Sequence, residues 1–288
     1  MNFTGAAVVA GVAGWPVEHS RSPLIQNYWL RKYGIDGVYV PLAISPDGAL
    51  DAIRSLPALG ISGLNITVPH KETAFRAMDE VDNWTQRLKA VNTVVVRDGL
   101  LYGTNTDAYG FLEALREAHP TWRSSTGPAV ILGAGGAARA IVAGLQDEGV
   151  SEIRIANRTH SRATALCEEF GNATLAVPWE SRSAALKDAA LVINTTSLGM
   201  RGQAPLNLSL EAVHNVTVVC DIVYTPLETP LLAAARALGH IVVDGLGMLL
   251  HQARPGFRQW FGVDPAVDQE LRDHVLADLM KDNGPWSS

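Results

Sequence analysis

Residues 130–162 read VILGAGGAARAIVAGLQDEGVSEIRIANRTHSR, and this stretch decides the fold. It continues an apolar run, Ala129–Leu132, that reads as a short buried strand. Gly133, Gly135 and Ala138 then supply G-x-G-x-x-A. Ala137–Glu148 places Ile141, Val142 and Leu145 on one face of a helix, and Gly149 stops it. Glu152–Ala156 alternates like a second strand. The whole is one βαβ unit with its glycines at the first strand-to-helix turn. Gly133 allows a tight turn, Gly135 lets backbone approach a pyrophosphate, and Ala138 lets helix and strand pack closely. The diphosphate would sit on the helix N-terminus, where free N–H groups and the helix dipole favour anions. Alone, such a glycine pattern is often only a tight turn; between a strand and a helix it predicts dinucleotide binding.

The end of the second strand refines the ligand. An NAD site usually carries Asp or Glu there, on the ribose hydroxyls. This chain has Asn157, Arg158 and Thr159, then Arg162. No acid repels an extra phosphate, and two guanidiniums can pair with it, so NADP is the expected cofactor. The competing reading makes Arg158 and Arg162 ordinary solvated charges.

The chain has 288 residues, a length that suits two domains, and 47% of them are hydrophobic. A net charge of −6 argues against general affinity for nucleic acid or anionic membrane. Cys167 and Cys220 stand in apolar contexts with no C-x-x-C between them, and read as buried thiols of a reducing compartment. No apolar run reaches membrane-spanning length. Ala6–Ala13 lacks the basic residues that precede a signal peptide and reads as the first strand.

Residues 6–105 alternate strand and helix. Ala6–Val12, Val38–Ile44 and Gly63–Val68 are expected strands. Ser22–Tyr33 is an expected helix with Ser22 as N-cap and Pro23 at its first position. Pro46–Ala58, Glu72–Met78 and Trp84–Lys89 are further helical stretches. Val91–Val96 and Leu100–Tyr102 form a hairpin around Asp98-Gly99. Thr106–Ala118 is a helix leaving this domain, and residues 119–128, HPTWRSSTGP, mark a boundary. From 129 to about 244, strands at 129–132, 152–156, 174–177, 191–194, 216–222 and 240–244 alternate with helices, which implies a six-stranded doubly wound sheet. Beyond Asp244 two helices run to about Met280, with Pro255-Gly256 interrupting the first, and pack back on the first domain; residues 282–288 read as frayed. The expected architecture is therefore α/β with two domains: residues 1–106 plus 246–288 for the substrate, and a Rossmann-type domain, 107–245, for NADP.

Polar residues cluster at strand ends that would face a cleft between such domains. Ser20 and Ser22 stand just before a helix, where hydroxyls and N–H groups can hold a carboxylate; plain helix capping accounts for Ser22 equally well. Lys71 follows a strand that ends at Pro69. Partial desolvation there would lower its pKa toward the proton-transfer range. Asp107 opens the crossing helix, either as its N-cap or as the partner that positions Lys71. His70 has no second ligand at metal spacing, so no metal is expected.

In order and spacing, nearly the whole chain resembles the shikimate dehydrogenase family. The motifs that carry the likeness are HSRSP (19–23), NITVPHKE (65–72), AVNTV (90–94), NTDAYGF (105–111), GAGGAA (133–138), NRT (157–159), NTTSLGM (194–200), DIVYTPLETPLL (221–232) and DGLGMLLHQA (244–253). The resemblance implies NADPH-dependent, reversible reduction of 3-dehydroshikimate to shikimate on the route to aromatic amino acids. It implies that Lys71 is the catalytic lysine and Asp107 its acidic partner. It places Ser20 and Ser22 on the substrate carboxylate, and Asn65, Thr67, Asn92, Tyr224 and Gln252 on the ring hydroxyls and carboxylate. It assigns Gly133, Ala134, Gly135, Gly136, Ala137, Asn157, Arg158, Thr159 and Arg162 to the cofactor. Thr195, Ser197, Leu198, Ile222 and Gly245 match positions near the ribose and nicotinamide, with Met248 close by. The chain departs from the family pattern at Asn83, where relatives carry an acid, and at His70, where an aromatic is usual. The resemblance further implies a cytoplasmic monomer or homodimer acting on a small molecule. The alternatives are a quinate or aminoshikimate dehydrogenase, or a non-catalytic ligand sensor; intact Lys71 and Asp107 count against the last.

Overall fold

The computed structural model describes residues 3–171, 173–213 and 216–281. The stretch 282–288, expected to fray, lies outside the described residues. The chain divides into two compact units, Met1–Thr106 with Leu250–Ser288, and Asp107–Leu249.

The first unit alternates β1 (Val8–Gly14), α1 (Ser22–Lys32), β2 (Gly37–Ala43), α2 (Ala49–Arg54), β3 (Gly63–Ile66), α3 (Lys71–Ala77), β4 (Glu80–Val81), α4 (Asn83–Leu88), β5 (Thr93–Arg97) and β6 (Leu100–Thr104). Its six strands lie in the order β2-β1-β3-β5-β6-β4. β1 runs parallel to β2 and β3, whereas β5 is antiparallel to both β3 and β6. Asp98 (φ 50°) and Gly99 (φ 79°) both adopt the left-handed backbone that a two-residue hairpin turn requires. The short strand β4 has no counterpart in the sequence reading, because two residues are too few to show a period. Helix α1 starts one residue earlier than expected: Arg21 is the N-cap and Ser22 is the first helical residue. No side chain caps the helix; just ahead of it, Ser20 Oγ accepts the Ser22 N–H at 3.3 Å.

The second unit contains α5 (Asp107–Ala118), β7 (Ala129–Leu132), α6 (Gly136–Asp147), β8 (Ile153–Ala156), α7 (His160–Phe170), β9 (Thr174–Val177), β10 (Leu191–Asn194), β11 (Val218–Asp221), α8 (Pro230–Ala237), β12 (Ile241–Val243) and the start of α9 (Gly245–Phe261). The strand order is β12-β11-β10-β7-β8-β9, and every pairing is parallel. This is the doubly wound sheet, with its order reversing between β7 and β10. Both faces are covered, so the strands read as continuous apolar runs. Ala129 and Ile131 belong to the core cluster that α5 and α6 close, while Val130 and Leu132 belong to the cluster that α8 closes. Residues 119–128 connect α5 to β7 within this unit, and Trp122 is buried in its core. Cys220 is buried, but Cys167 is only half-buried.

From Leu250 onward α9, followed by α10 (Gln269–Lys281), belongs to the first unit. Pro255 does not interrupt α9, contrary to its intrinsic cost inside a helix. Burial overrides propensity here. Leu250, Ala253, Phe257 and Trp260 recur at helical spacing and are all buried. The Trp260 indole N–H also donates to the Val94 carbonyl of β5 at 3.0 Å. The Gln26 side chain donates to the Ala253 carbonyl at 3.1 Å, and the Trp29 indole to the Ala266 carbonyl at 3.0 Å. The C-terminal helices thus return to the first domain.

Candidate active site

In the first unit the neighbouring parallel strands β1 and β3 have their carboxyl ends at the same end of the sheet. One releases the segment that carries Ser20 and Ser22; the other releases Thr67 and Lys71. Asn65, the third residue of β3, is buried and anchored on three sides. Its Oδ1 accepts the Tyr39 hydroxyl at 2.7 Å, and its Nδ2 donates to the Asn92 carbonyl and Thr93 Oγ1, both at 3.2 Å. The Tyr39 phenol, raised well above its usual pKa by burial, has Ser22 as its other polar neighbour.

Asn92 extends the network. Its Oδ1 accepts the Thr106 N–H at 2.9 Å. The Thr106 hydroxyl donates to the Gln252 carbonyl at 2.8 Å. Lys71 is the first residue of α3, is half-buried, and accepts the Val91 N–H on its carbonyl at 3.0 Å. Thr67 closes the turn before it, with its carbonyl on the His70 N–H at 3.0 Å. His70 itself is a core histidine: it is 1% exposed, and its Nε2 bonds the Ile44 carbonyl at 2.7 Å. The first unit therefore gathers Ser20, Ser22, Asn65, Thr67, Lys71, Asn92 and Gln252 at one end of its sheet. Asp107, buried at the start of α5, and Tyr224, half-buried after β11, belong to the second unit.

In the second unit the glycine turn follows β7. Gly133 has φ +113°, and a Cβ there would lie 2.4 Å from Thr195 Oγ1, so only glycine fits. Gly135 is the N-cap of α6, with no side chain capping the helix. A Cβ at Gly135 or Gly136 would meet nothing within 4 Å. Open space over uncapped helix N–H groups fits a dinucleotide phosphate. Ala134 and Ala137 flank this opening, half-buried.

Just past β8, Asn157 donates through Nδ2 to the Thr159 carbonyl at 2.8 Å, which shapes the turn into α7. Arg158, Thr159 and Arg162 are exposed there. Among the described residues no carboxylate pairs with either arginine, in contrast to Arg139, which pairs with Glu169. Two unpaired guanidiniums beyond the second strand fit a ribose phosphate.

Two buried polar residues hold the far side of this unit. Asn194 ends β10; its Oδ1 accepts the Thr196 N–H at 3.0 Å and the Thr196 hydroxyl at 2.7 Å, while its Nδ2 donates to the Leu198 carbonyl at 3.0 Å. Asp221 ends β11; its Oδ1 accepts the Val223 N–H at 3.0 Å and its Oδ2 the Thr229 hydroxyl at 2.7 Å. Burial pushes the Asp221 carboxyl up to about 6 against these hydrogen bonds. Thr195 bonds the Leu132 carbonyl through its N–H at 2.8 Å and its hydroxyl at 2.7 Å. Ser197 is exposed between these anchors. Ile222, Gly245 and Met248 share a small cavity of about 10 Å³ with Asp221.

The sequence reading missed Tyr39 as a partner of Asn65, and Asp221 as an anchor of the turn after β11. The available signal was a polar residue closing an apolar run, as in VVCD of β11.

Three family models match the chain. Residues 12–94 match the shikimate dehydrogenase substrate binding domain, 116–201 match shikimate / quinate 5-dehydrogenase, and 245–269 match the shikimate 5'-dehydrogenase C-terminal domain. A relative from Paramagnetospirillum magneticum, named shikimate dehydrogenase (NADP(+)), is 54% identical over 96% of this chain and 100% of its own length. The structure is similar to shikimate 5-dehydrogenase from Thermus thermophilus in complex with NADP(H) and shikimate. That match has a TM-score of 0.83 and 36% identity, and covers 94% of this chain and 99% of the other. It is also similar to quinate dehydrogenase from Corynebacterium glutamicum in complex with NAD. Here the TM-score is 0.86 at 32% identity, with 94% of this chain and 99% of the other covered. Full-length identity above half, together with a polar network and a glycine turn at the ends of the two sheets, means that this chain belongs to the shikimate dehydrogenase family.

Proposed function

We propose that this protein is an NADP-dependent shikimate dehydrogenase, reducing 3-dehydroshikimate to shikimate reversibly. The observation that carries the reading is the 54% identity over full length to a relative named for that activity. The open, uncapped turn at Gly135–Gly136 and the absence of any carboxylate partner for Arg158 and Arg162 among the described residues support NADP as the cofactor. Gly133–Ala137 would hold its diphosphate, Asn157–Arg162 its ribose phosphate, and Thr195, Ser197, Ile222, Gly245 and Met248 its nicotinamide half. When bound, the reduced cofactor supplies the hydride that the ketone carbon needs.

In this reading the chain's own residues do the rest. Ser20 and Ser22 hold the substrate carboxylate. Asn65, Thr67, Asn92, Tyr224 and Gln252 orient the ring through its hydroxyls. Lys71 Nζ donates a proton to the ketone oxygen as negative charge develops on it, and Asp107 orients the ammonium and the new hydroxyl. The Asn65 and Asn92 bonds matter because they hold ligand-facing groups to the geometry the reaction needs. The protein acts as a cytoplasmic monomer or homodimer on a small molecule.

The test is absorbance at 340 nm with four pairings: shikimate or quinate, each with NADP or NAD. Rapid oxidation of shikimate with NADP, and at least tenfold less efficiency with the other three pairings, is expected. Faster quinate oxidation with NAD would move the chain beside its quinate-oxidising neighbour, and no oxidation in any pairing would end the enzymatic reading.

A further inference from the structure

Asp221 is a buried carboxylate, 1% exposed, that accepts three hydrogen bonds from neutral donors: Asn194 Nδ2, the Val223 N–H and the Thr229 hydroxyl. Among the described residues no lysine, arginine or histidine pairs with it. Ionising such a group is costly, and an amide at this position would accept the same N–H groups without a charge. Its pKa of about 6 still leaves it ionised at neutral pH. The charge is therefore retained where it has no structural counter-ion.

Its position suggests what the charge faces. Asp221 ends β11, in the half of the sheet beyond the reversal at β7 and β10, opposite the half that carries the glycine turn and Arg158. In doubly wound folds a dinucleotide spans that reversal, with one nucleotide on each half. Asp221 shares a small void of about 10 Å³ on that side with Ile222, Gly245 and Met248, the residues read above as holding the nicotinamide half. An oxidised nicotinamide ring carries a positive charge, and the reduced ring is neutral. A fixed anion in a buried setting distinguishes the two.

We infer that Asp221 sets the redox-state preference of the cofactor site, its buried charge favouring the oxidised dinucleotide over the reduced one without touching either. The inference rests on the dinucleotide-binding reading above. At an effective dielectric near 20, an attraction of about 1.4 kcal/mol between opposite unit charges corresponds to about a tenfold change in affinity.

The experiment compares the wild type with Asp221→Asn at pH 7.5, by calorimetric titration with NADP+, NADPH and 2′,5′-ADP. The asparagine keeps an oxygen for Asn194 and Val223 and turns its amide toward Thr229. The expected result is about tenfold weaker NADP+ binding, with NADPH and 2′,5′-ADP affinities unchanged. Equal weakening of NADP+ and NADPH, or no change in any ligand, would overturn the inference. If the wild type binds none of the three, the cofactor reading itself has failed, and the inference with it. Should Asp221→Asn fail to fold, Asp221→Ser, a smaller neutral acceptor, is read by the same three titrations.

Discussion

Asn194 Nδ2 donates to Asp221 Oδ1 at 3.0 Å, joining the carboxyl ends of β10 and β11 through two fully buried side chains. One bond thereby couples two loops. Asn194 also holds Thr196 and Leu198, and Asp221 also holds Val223 and the N-cap of α8, Thr229. The residues expected near the nicotinamide, Thr195, Ser197 and Ile222, hang from these anchors.

The raised Asp221 pKa has a signature in stability. Its folded value is about 6 against an ordinary 3.8, so the folded state binds the proton more tightly. The protonated group's stabilising contribution is complete below the ordinary value and is lost as pH rises through about 6. Asp221→Asn removes this loss. Relative to wild type, the variant should gain up to about 3 kcal/mol between pH 3.5 and pH 8. Urea unfolding of both proteins across that range measures it, and a flat difference would contradict the buried charge.

Lys71→Ala should lower turnover by about 10²- to 10⁴-fold, the range for losing a positioned proton donor. The KM for shikimate should move only a few-fold. Steady-state kinetics with saturating NADP separates the two parameters. Weakened binding at normal turnover would make Lys71 a binding residue.

Arg158→Ala should selectively cost the phosphorylated cofactor. A charge-assisted bond to phosphate corresponds to roughly 2 kcal/mol, or about thirtyfold in kcat/KM for NADPH. Efficiency with NADH should hardly change. The ratio of the two, measured in wild type and variant, is the readout. An unaltered ratio would return Arg158 to the solvated surface.

Tyr39→Phe removes the donor to Asn65 Oδ1, leaving a buried amide oxygen without that partner. Such a group costs roughly 1–3 kcal/mol. The KM for shikimate should rise at least fivefold, while the Kd for NADP+ stays constant. A thermal melt reports the stability loss, and an equal change in both affinities would show a general disturbance instead.

Much of this molecule was legible in its residues. The continuous apolar runs at 129–132 and 191–194 announced strands buried on both faces, and Asp98-Gly99 announced its turn. Where reading failed, a long-range contact had the last word. Pro255 looked like a helix breaker, yet α9 passes through it because Phe257 packs on Trp29 of α1 and its C-cap Tyr33, and Trp260 on Tyr39 and Val94 of the first sheet. The N-cap reading of Ser22 failed instead for a local reason: the helix begins one residue earlier, so its N-cap is Arg21, with no side chain capping it.

Local chemistry alone was enough for the βαβ rhythm, the glycine turn and the family. The first two depend on residues close in sequence, whose backbone preferences and side-chain periods act within a few turns; the family depends on the order and spacing of short motifs along the whole chain. The partners of buried polar groups were decided only in three dimensions. Tyr39 meets Asn65 across 26 residues, Asn194 meets Asp221 across 27, and Thr106 meets the Gln252 carbonyl across 146. A hydrogen-bonding group in an apolar run must find a partner once water is excluded, but the run itself does not say which one; strand order and packing do.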